Sequence, residues 1–165
     1  MPGMKVRHRE DTDLPVVKPF LTDNHSIRVA RLGRLEHPLD HPALLAETDD
    51  GAFAGLLTYV PDPADGSCEI LTLHTVHQWQ GTGTALISAV EGVAAEQGIR
   101  RLWLITTNDN VDALRFYQRR GFRIAEIRVG GVDECRATLK PEIPEIGDYG
   151  IPIRDEIILE KHISA

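Results

Sequence analysis

Cysteine is scarce in this chain. The 165 residues hold two, Cys68 and Cys135, too few for the bridge framework of a small secreted domain. Both are expected as free thiols in a reducing cytoplasm. Long apolar runs are missing: nothing approaches the ~20 residues that span a bilayer, and no charged-then-apolar leader opens the sequence. A soluble, cytoplasmic protein with no membrane partner is expected. Positive charge is also short. The 18 Lys and Arg face 25 Asp and Glu, a net charge of −7. With no basic face to offset it, nucleic acid is not an expected partner. A cationic substrate suits that balance, as does plain solubility. There are no internal repeats and no low-complexity segments. What remains reads as one domain over residues 1–165, 42% hydrophobic and long enough to bury a core.

The rest of the chain is organised around residues 67–98. Ile70, Leu71, Leu73 and Val76, with Thr72 and Thr75 between them, make an apolar run rich in strand formers. A loop containing Gly81 and Gly83 follows. Beyond it the period changes. Leu86, Ala89, Val90, Val93 and Ala94 recur at helical spacing, and Gly98 stops the helix as a left-handed C-terminal residue would. Residues 100–107 read as a second strand. Strand, helix and strand most simply make a right-handed βαβ unit with parallel strands.

The glycine loop carries chemistry. Without side chains, backbone N–H groups can turn toward one point, and the helix behind adds the positive end of its dipole. Together they make an anion site, most often for phosphate. The Walker loop needs Gly-Lys-Ser/Thr, and no lysine lies between Lys18 and Lys140. The dinucleotide pattern G-x-G-x-x-G needs glycine at 86, where Leu86 stands. A third pattern, Q/R-x-x-G-x-G/A, is met in full by Gln78, Trp79, Gln80, Gly81, Thr82 and Gly83. The bland alternative is an ordinary tight turn into a helix. A second segment, NVDALRFYQRRGF, carries Asn110, Ala113, Phe116, Tyr117, Gly121 and Phe122. Asn110 suits a helix cap, and Gly121 suits a helix end.

In these two segments the chain resembles the GNAT superfamily of acyl-CoA-dependent N-acetyltransferases. The first matches that superfamily's pyrophosphate loop, and the second matches its N-x-x-A-x-x-F/L-Y-x-x-x-G-F segment at every specified position. The resemblance covers residues 43–130 firmly and the two ends in architecture only. It implies an α+β fold: a mixed, mostly antiparallel central sheet with a parallel βαβ unit and helices on both faces. It implies an N-acetyltransferase that uses acetyl-CoA as cosubstrate, with direct attack by the amine in a ternary complex and no metal. Cofactor contacts fall on Leu73, Gln78, Trp79, Gln80, Gly81, Thr82, Gly83, Thr84, Asn110 and Tyr117. The backbone N–H near Leu73 would hold the acetyl oxygen, and Tyr117 would be the acid. The partner is an amine substrate, small molecule or peptide, and a homodimer is a possible assembly. A different class of reading is a catalytically idle GNAT-like module that binds CoA as a regulatory or interaction domain.

The base is read from the residues. Glu69 is the obvious carboxylate on the strand before the loop, expected on the same face as Leu71 and Leu73. His74 and His77 are the alternatives, acting through water. The common pattern places a proline between strand and loop. This chain has none there, so the register stays open.

Elsewhere, residues 4–9 alternate as a short strand. A helix should run from near Asp11 to Asp13 through Val16, Val17, Phe20 and Leu21, with Pro19 awkward inside it. Residues 22–43 give no clear element. His37 and His41 have helical spacing for two metal ligands, but Pro38 and Pro42 argue against a helix, so no metal site is expected. A hairpin turns at Thr48-Asp49-Asp50-Gly51. Residues 123–129 read as a strand, 132–140 as a short helix and 154–161 as the last strand. Residues 141–153, broken by Pro141, Pro144, Gly147, Gly150 and Pro152, make a long loop. That loop is read with equal weight as a substrate lid or as peripheral structure.

Overall fold

The computed structural model describes residues 3–78 and 81–163. Its strands are β1 (Met4–His8), β2 (Val29–Arg31), β3 (Arg34–Glu36), β4 (Ala43–Thr48), β5 (Phe53–Asp62), β6 (Ser67–Thr75), β7 (Arg101–Thr107), β8 (Arg123–Arg128) and β9 (Glu156–His162). Its helices are α1 (Leu14–Asp23), α2 (Thr82–Glu96), α3 (Val111–Arg119) and α4 (Gly131–Thr138). A seven-stranded mixed sheet runs β1-β4-β5-β6-β7-β9-β8, and β2 with β3 forms a separate ribbon. α2 joins β6 to β7, and the mixed sheet includes a parallel pair. The α+β architecture read from the sequence is the one observed.

The chain divides into two compact units. The first holds β1, α1, β4, β5, β6 and α2. The second holds β2, β3, α3, β8, α4, β9 and most of β7.

In the first unit, β4 pairs Leu45 with Leu56 of β5, and Ala43 with Thr58. Val17 and Leu21 of α1 close over Ala43, Leu45 and Leu56, with Phe20, Ile27, Leu39 and Phe53 at the margin. Each such aliphatic side chain contributes roughly 1.5–3 kcal/mol when fully buried. α1 keeps Pro19 in its interior. The cost is one bond, since proline lacks the N–H that would reach the Pro15 carbonyl. α2 packs on the opposite face, where Leu86, Ile87, Val90 and Ala94 are buried. The close approach is made at Gly55. A Cβ built there would lie 3.0 Å from the His74 carbonyl, 3.0 Å from Thr82 Cγ2 and 3.3 Å from Leu86 Cδ1.

In the second unit, β8 pairs antiparallel with β9. The β2–β3 ribbon turns through Leu32 and Gly33, both at positive φ. The Leu32 N–H donates to Glu156 Oε2 at 3.1 Å, and Lys140 Nζ donates to the Arg28 carbonyl at 2.8 Å. Residues 141–153 do form a long loop, and it is held. Ile146 bridges Pro152. Arg136 donates to the Ile143 carbonyl at 3.0 Å and to those of Pro144 and Ile153 at 2.8 Å each. The Asp148 N–H donates to Asp109 Oδ2 at 3.0 Å. At the tip, Tyr149 sits at φ 58 with 71% of its surface exposed.

Candidate active site

The register between β5 and β6 decides which side chains share a face. Thr58 stands opposite Thr72, but Tyr59 stands opposite Ile70. Leu71 is therefore the extra residue of a β-bulge, and the alternation of side chains slips by one there. Glu69 pairs with Val60, Thr72 with Thr58 and His74 with Leu56. These lie in phase on the face that α1 covers. Leu73 pairs with Leu57 and lies on the α2 face. The expectation that Glu69 shares a face with Leu71 and Leu73 is thus corrected, because the bulge puts Glu69 in line with Thr72 and His74 instead. Glu69 is buried, at 3% exposure, not a strand-end surface residue.

The α1 face of β6 is polar along its length. The Thr58 and Thr72 hydroxyls meet at 2.6 Å. His74 Nε2 lies 2.7 Å from Ser26 Oγ, with the Phe20 ring edge-on at 6.3 Å. Burial pulls the His74 imidazole down to about 4. His77 is exposed.

Beyond β6 the chain enters α2 through Gly81, a left-handed residue at φ 81 that makes no side-chain cap. The first intrahelical bond runs from the Ala85 N–H to the Gly81 carbonyl at 3.0 Å. The first turn of an α-helix in general leaves N–H groups without intrahelical acceptors. Thr82 and Gly83 are buried, while Gln78, Gly81 and Thr84 are exposed. Trp79 and Gln80 lie outside the described residues. An uncapped helix start behind a left-handed glycine suits a phosphate group.

The remaining predicted residues belong to the second unit. Asn110 caps α3, its side chain accepting from the Ala113 N–H at 3.2 Å. Tyr117 is 8% exposed, its ring against Phe116 at 5.2 Å and Phe122 at 5.5 Å. Burial pushes its phenol well above the ordinary range, so the hydroxyl keeps its proton. Gly121, at φ 93, follows the helix. Among the described residues no group of three His, Cys, Asp or Glu could hold a metal ion. None of the described helices is long and apolar enough to cross a membrane. Cys68 and Cys135 are free, buried thiols.

The acetyltransferase (GNAT) family matches residues 9–122, most of the chain. The chain belongs to the GNAT family. An uncharacterized Bacillus subtilis protein, YxbD, is 44% identical over 115 residues, 70% of each chain. Among solved structures, IAA acetyltransferase from Bacillus cereus superposes with a TM-score of 0.72 at 21% identity, covering 98% of this chain and 100% of that one. A GNAT family acetyltransferase from Elizabethkingia anophelis with acetyl-CoA bound gives a TM-score of 0.67 at 21% identity, covering 97% and 98%. At such identities the likeness is one of fold.

In this GNAT chain two residues that shape the site escaped the sequence reading. Gly55 carried a signal, since an isolated glycine inside a strand marks a close approach. Ser26 carried none. It follows a helix end built without glycine, and its partner His74 is distant in the chain.

Proposed function

We propose that this chain is an acyl-CoA-dependent N-acetyltransferase that moves an acetyl group from acetyl-CoA to a primary amine of a small molecule or peptide. The observation that carries the reading is the start of α2, which is entered through left-handed Gly81 with no side-chain cap. The residues fit the pyrophosphate of CoA: Gly81, Thr82 and Gly83 offer N–H groups, with Thr84 next along the helix, and Gln78, Trp79 and Gln80 precede them in the chain. The acetyl-CoA in the Elizabethkingia relative supports the same ligand here. The reading takes residues 1–165 as a single domain at work in the cytoplasm.

When bound, acetyl-CoA supplies a thioester whose acetyl carbon is open to an amine. The chain does the rest. The backbone N–H near Leu73 donates to the acetyl oxygen as that oxygen gains charge. Glu69 takes the amine proton, directly or through water, with His74 and His77 as the alternatives. Tyr117 gives its hydroxyl proton to the departing sulfur. Its raised pKa suits the role, since the proton is still in place when the sulfur leaves. Asn110 holds the start of α3 and with it the position of Tyr117.

Calorimetry with CoA tests the site. Gly83→Asp sets a carboxylate among the N–H groups and should weaken CoA more than tenfold, about 1.4 kcal/mol. Unchanged affinity in a folded variant removes the site from α2. Purified protein with acetyl-CoA and pooled primary amines should release free thiol. Tight CoA binding with no thiol release from any amine would favour the idle CoA-binding module.

A further inference from the structure

The end of α1 aims a hydroxyl at β6. Asn24 closes the helix and His25 follows at φ 57. The His25 N–H donates to the Thr22 carbonyl at 3.0 Å, and the Ser26 N–H to the Leu21 carbonyl at 2.8 Å. These are the two bonds of a Schellman turn, whose left-handed place usually falls to glycine. Here a histidine takes it. The next residue, Ser26, then stands over the sheet.

Ser26 Oγ lies 2.7 Å from His74 Nε2 and 3.2 Å from the Asn24 carbonyl. A carbonyl can only accept, and a hydroxyl has one proton to give. Both contacts are hydrogen bonds only if that proton goes to Asn24. His74 Nε2 must then carry a hydrogen and donate it to Ser26. This fixes the neutral ring as the Nε2–H tautomer and leaves a lone pair on Nδ1. Among the described residues none donates to Nδ1, and the side chain is partly exposed. Glu69 stands in phase on the same face of the strand.

We propose that Ser26 is a positioning residue that holds His74 with its Nδ1 lone pair ready to accept an N–H of the substrate amine. The proposal rests on the acetyltransferase reading of the site. It adds a substrate requirement: the group that reaches His74 on the α1 face must be a hydrogen-bond donor, met there by the Nδ1 lone pair. A carboxylate or ether in that place would set its own lone pairs against that of Nδ1. Burial keeps the ring neutral down to about pH 4, so the acceptor is present under working conditions. A protonated ring would present a hydrogen instead and repel a cationic amine.

Nitrogen NMR of 15N-histidine protein reads the tautomer directly. Wild type should show His74 as the Nε2–H form. Ser26→Ala should let the Nδ1–H form grow, and Ser26→Thr, which keeps the hydroxyl, should restore the wild-type signal. A wild-type Nδ1–H ring, or a tautomer indifferent to Ser26→Ala, overturns the proposal. With CoA present, titration with benzylamine as a probe should move the Nδ1 resonance saturably in wild type and Ser26→Thr. In Ser26→Ala the binding should be about tenfold weaker. No saturable shift in wild type that binds CoA also overturns it. The tautomer measurement needs no cofactor, so failure there strikes Ser26 alone. Failure of CoA to bind any of the three proteins strikes the acetyltransferase reading.

Discussion

On the α2 face of the first unit the candidate groups are backbone amides; on the α1 face they are side chains. The α2 face is built by omission. Gly55 lacks the Cβ that would meet Thr82 and Leu86, and Gly81 has none to hinder a left-handed turn. The α1 face is built by register and by a turn. The bulge at Leu71 brings Glu69 into line with His74, and the left-handed His25 sends Ser26 to meet it. Amides positioned by glycine suit a ligand part common to every turnover. Side chains suit a partner that must be distinguished. The two faces should therefore separate in experiment, one governing the cofactor and the other the acceptor.

The largest effect should come from Glu69→Gln. If the α1 face handles the amine proton, single-turnover acetylation should fall roughly 10²-fold or more, while CoA affinity stays unchanged. A parallel loss of CoA affinity would blur the division between faces. Next comes acid stability. The free imidazole titrates near 6.5, and His74 in the fold resists protonation until about 4. The unfolded chain thus binds the proton first. The contribution is complete above 6.5 and is lost as pH falls toward 4. It amounts to roughly 2 kcal/mol once the ring's partial exposure is allowed for. Urea midpoints against pH should show a shallower acid limb in His74→Gln than in wild type. An identical limb would mean that the ring is not held neutral.

Gly55→Ala probes the α2 face. The added methyl would crowd the His74 carbonyl and the Thr82 methyl, both at 3.0 Å. The first turn of α2 should lift, and CoA should bind several-fold more weakly, of order 1 kcal/mol. Thr82→Ser in the same protein removes one of the two clashes and should recover part of the loss by calorimetry. The smallest effect should be a gain. His25→Gly relieves a left-handed residue and should raise stability by up to about 1 kcal/mol in thermal melts. Glycine already holds the equivalent place after α2, where Gly98 sits at φ 73. Gly98→Ala should cost a similar amount, so the pair compares one motif with and without its usual residue.

The α2 face was legible because its signals are local. A change of period, a glycine pair and Gly98 all lie within one stretch. The α3 segment was legible for the same reason, and Asn110 and Gly121 cap and end it as read. The α1 face was not, because a bulge is a property of two strands. Nothing in Glu69-Ile70-Leu71 reveals that Tyr59 and Thr58 will skip a residue opposite it. The β2–β3 ribbon was missed because its strands have three residues each and its turn is Leu32-Gly33, without the Asn-Gly or Asp-Gly that marks a tight hairpin. Pro19 looked like a break and is carried inside α1, in a helix short enough to forgo one bond.

The loop over residues 141–153 hangs largely from the Arg136 guanidinium, which reaches the carbonyls of Ile143, Pro144 and Ile153. Every amino acid has a carbonyl, so this tether does not read the identity of what it holds. Two glycines do depend on identity: a Cβ at Gly147 would fall 2.0 Å from Asp109 Oδ2, and Gly150 sits at φ 73. At the exposed positions of the loop, the wording can change while the punctuation stays. A designer could diversify the exposed tip at Tyr149 in a library, keeping Arg136, Gly147 and Gly150 as the fixed clasp.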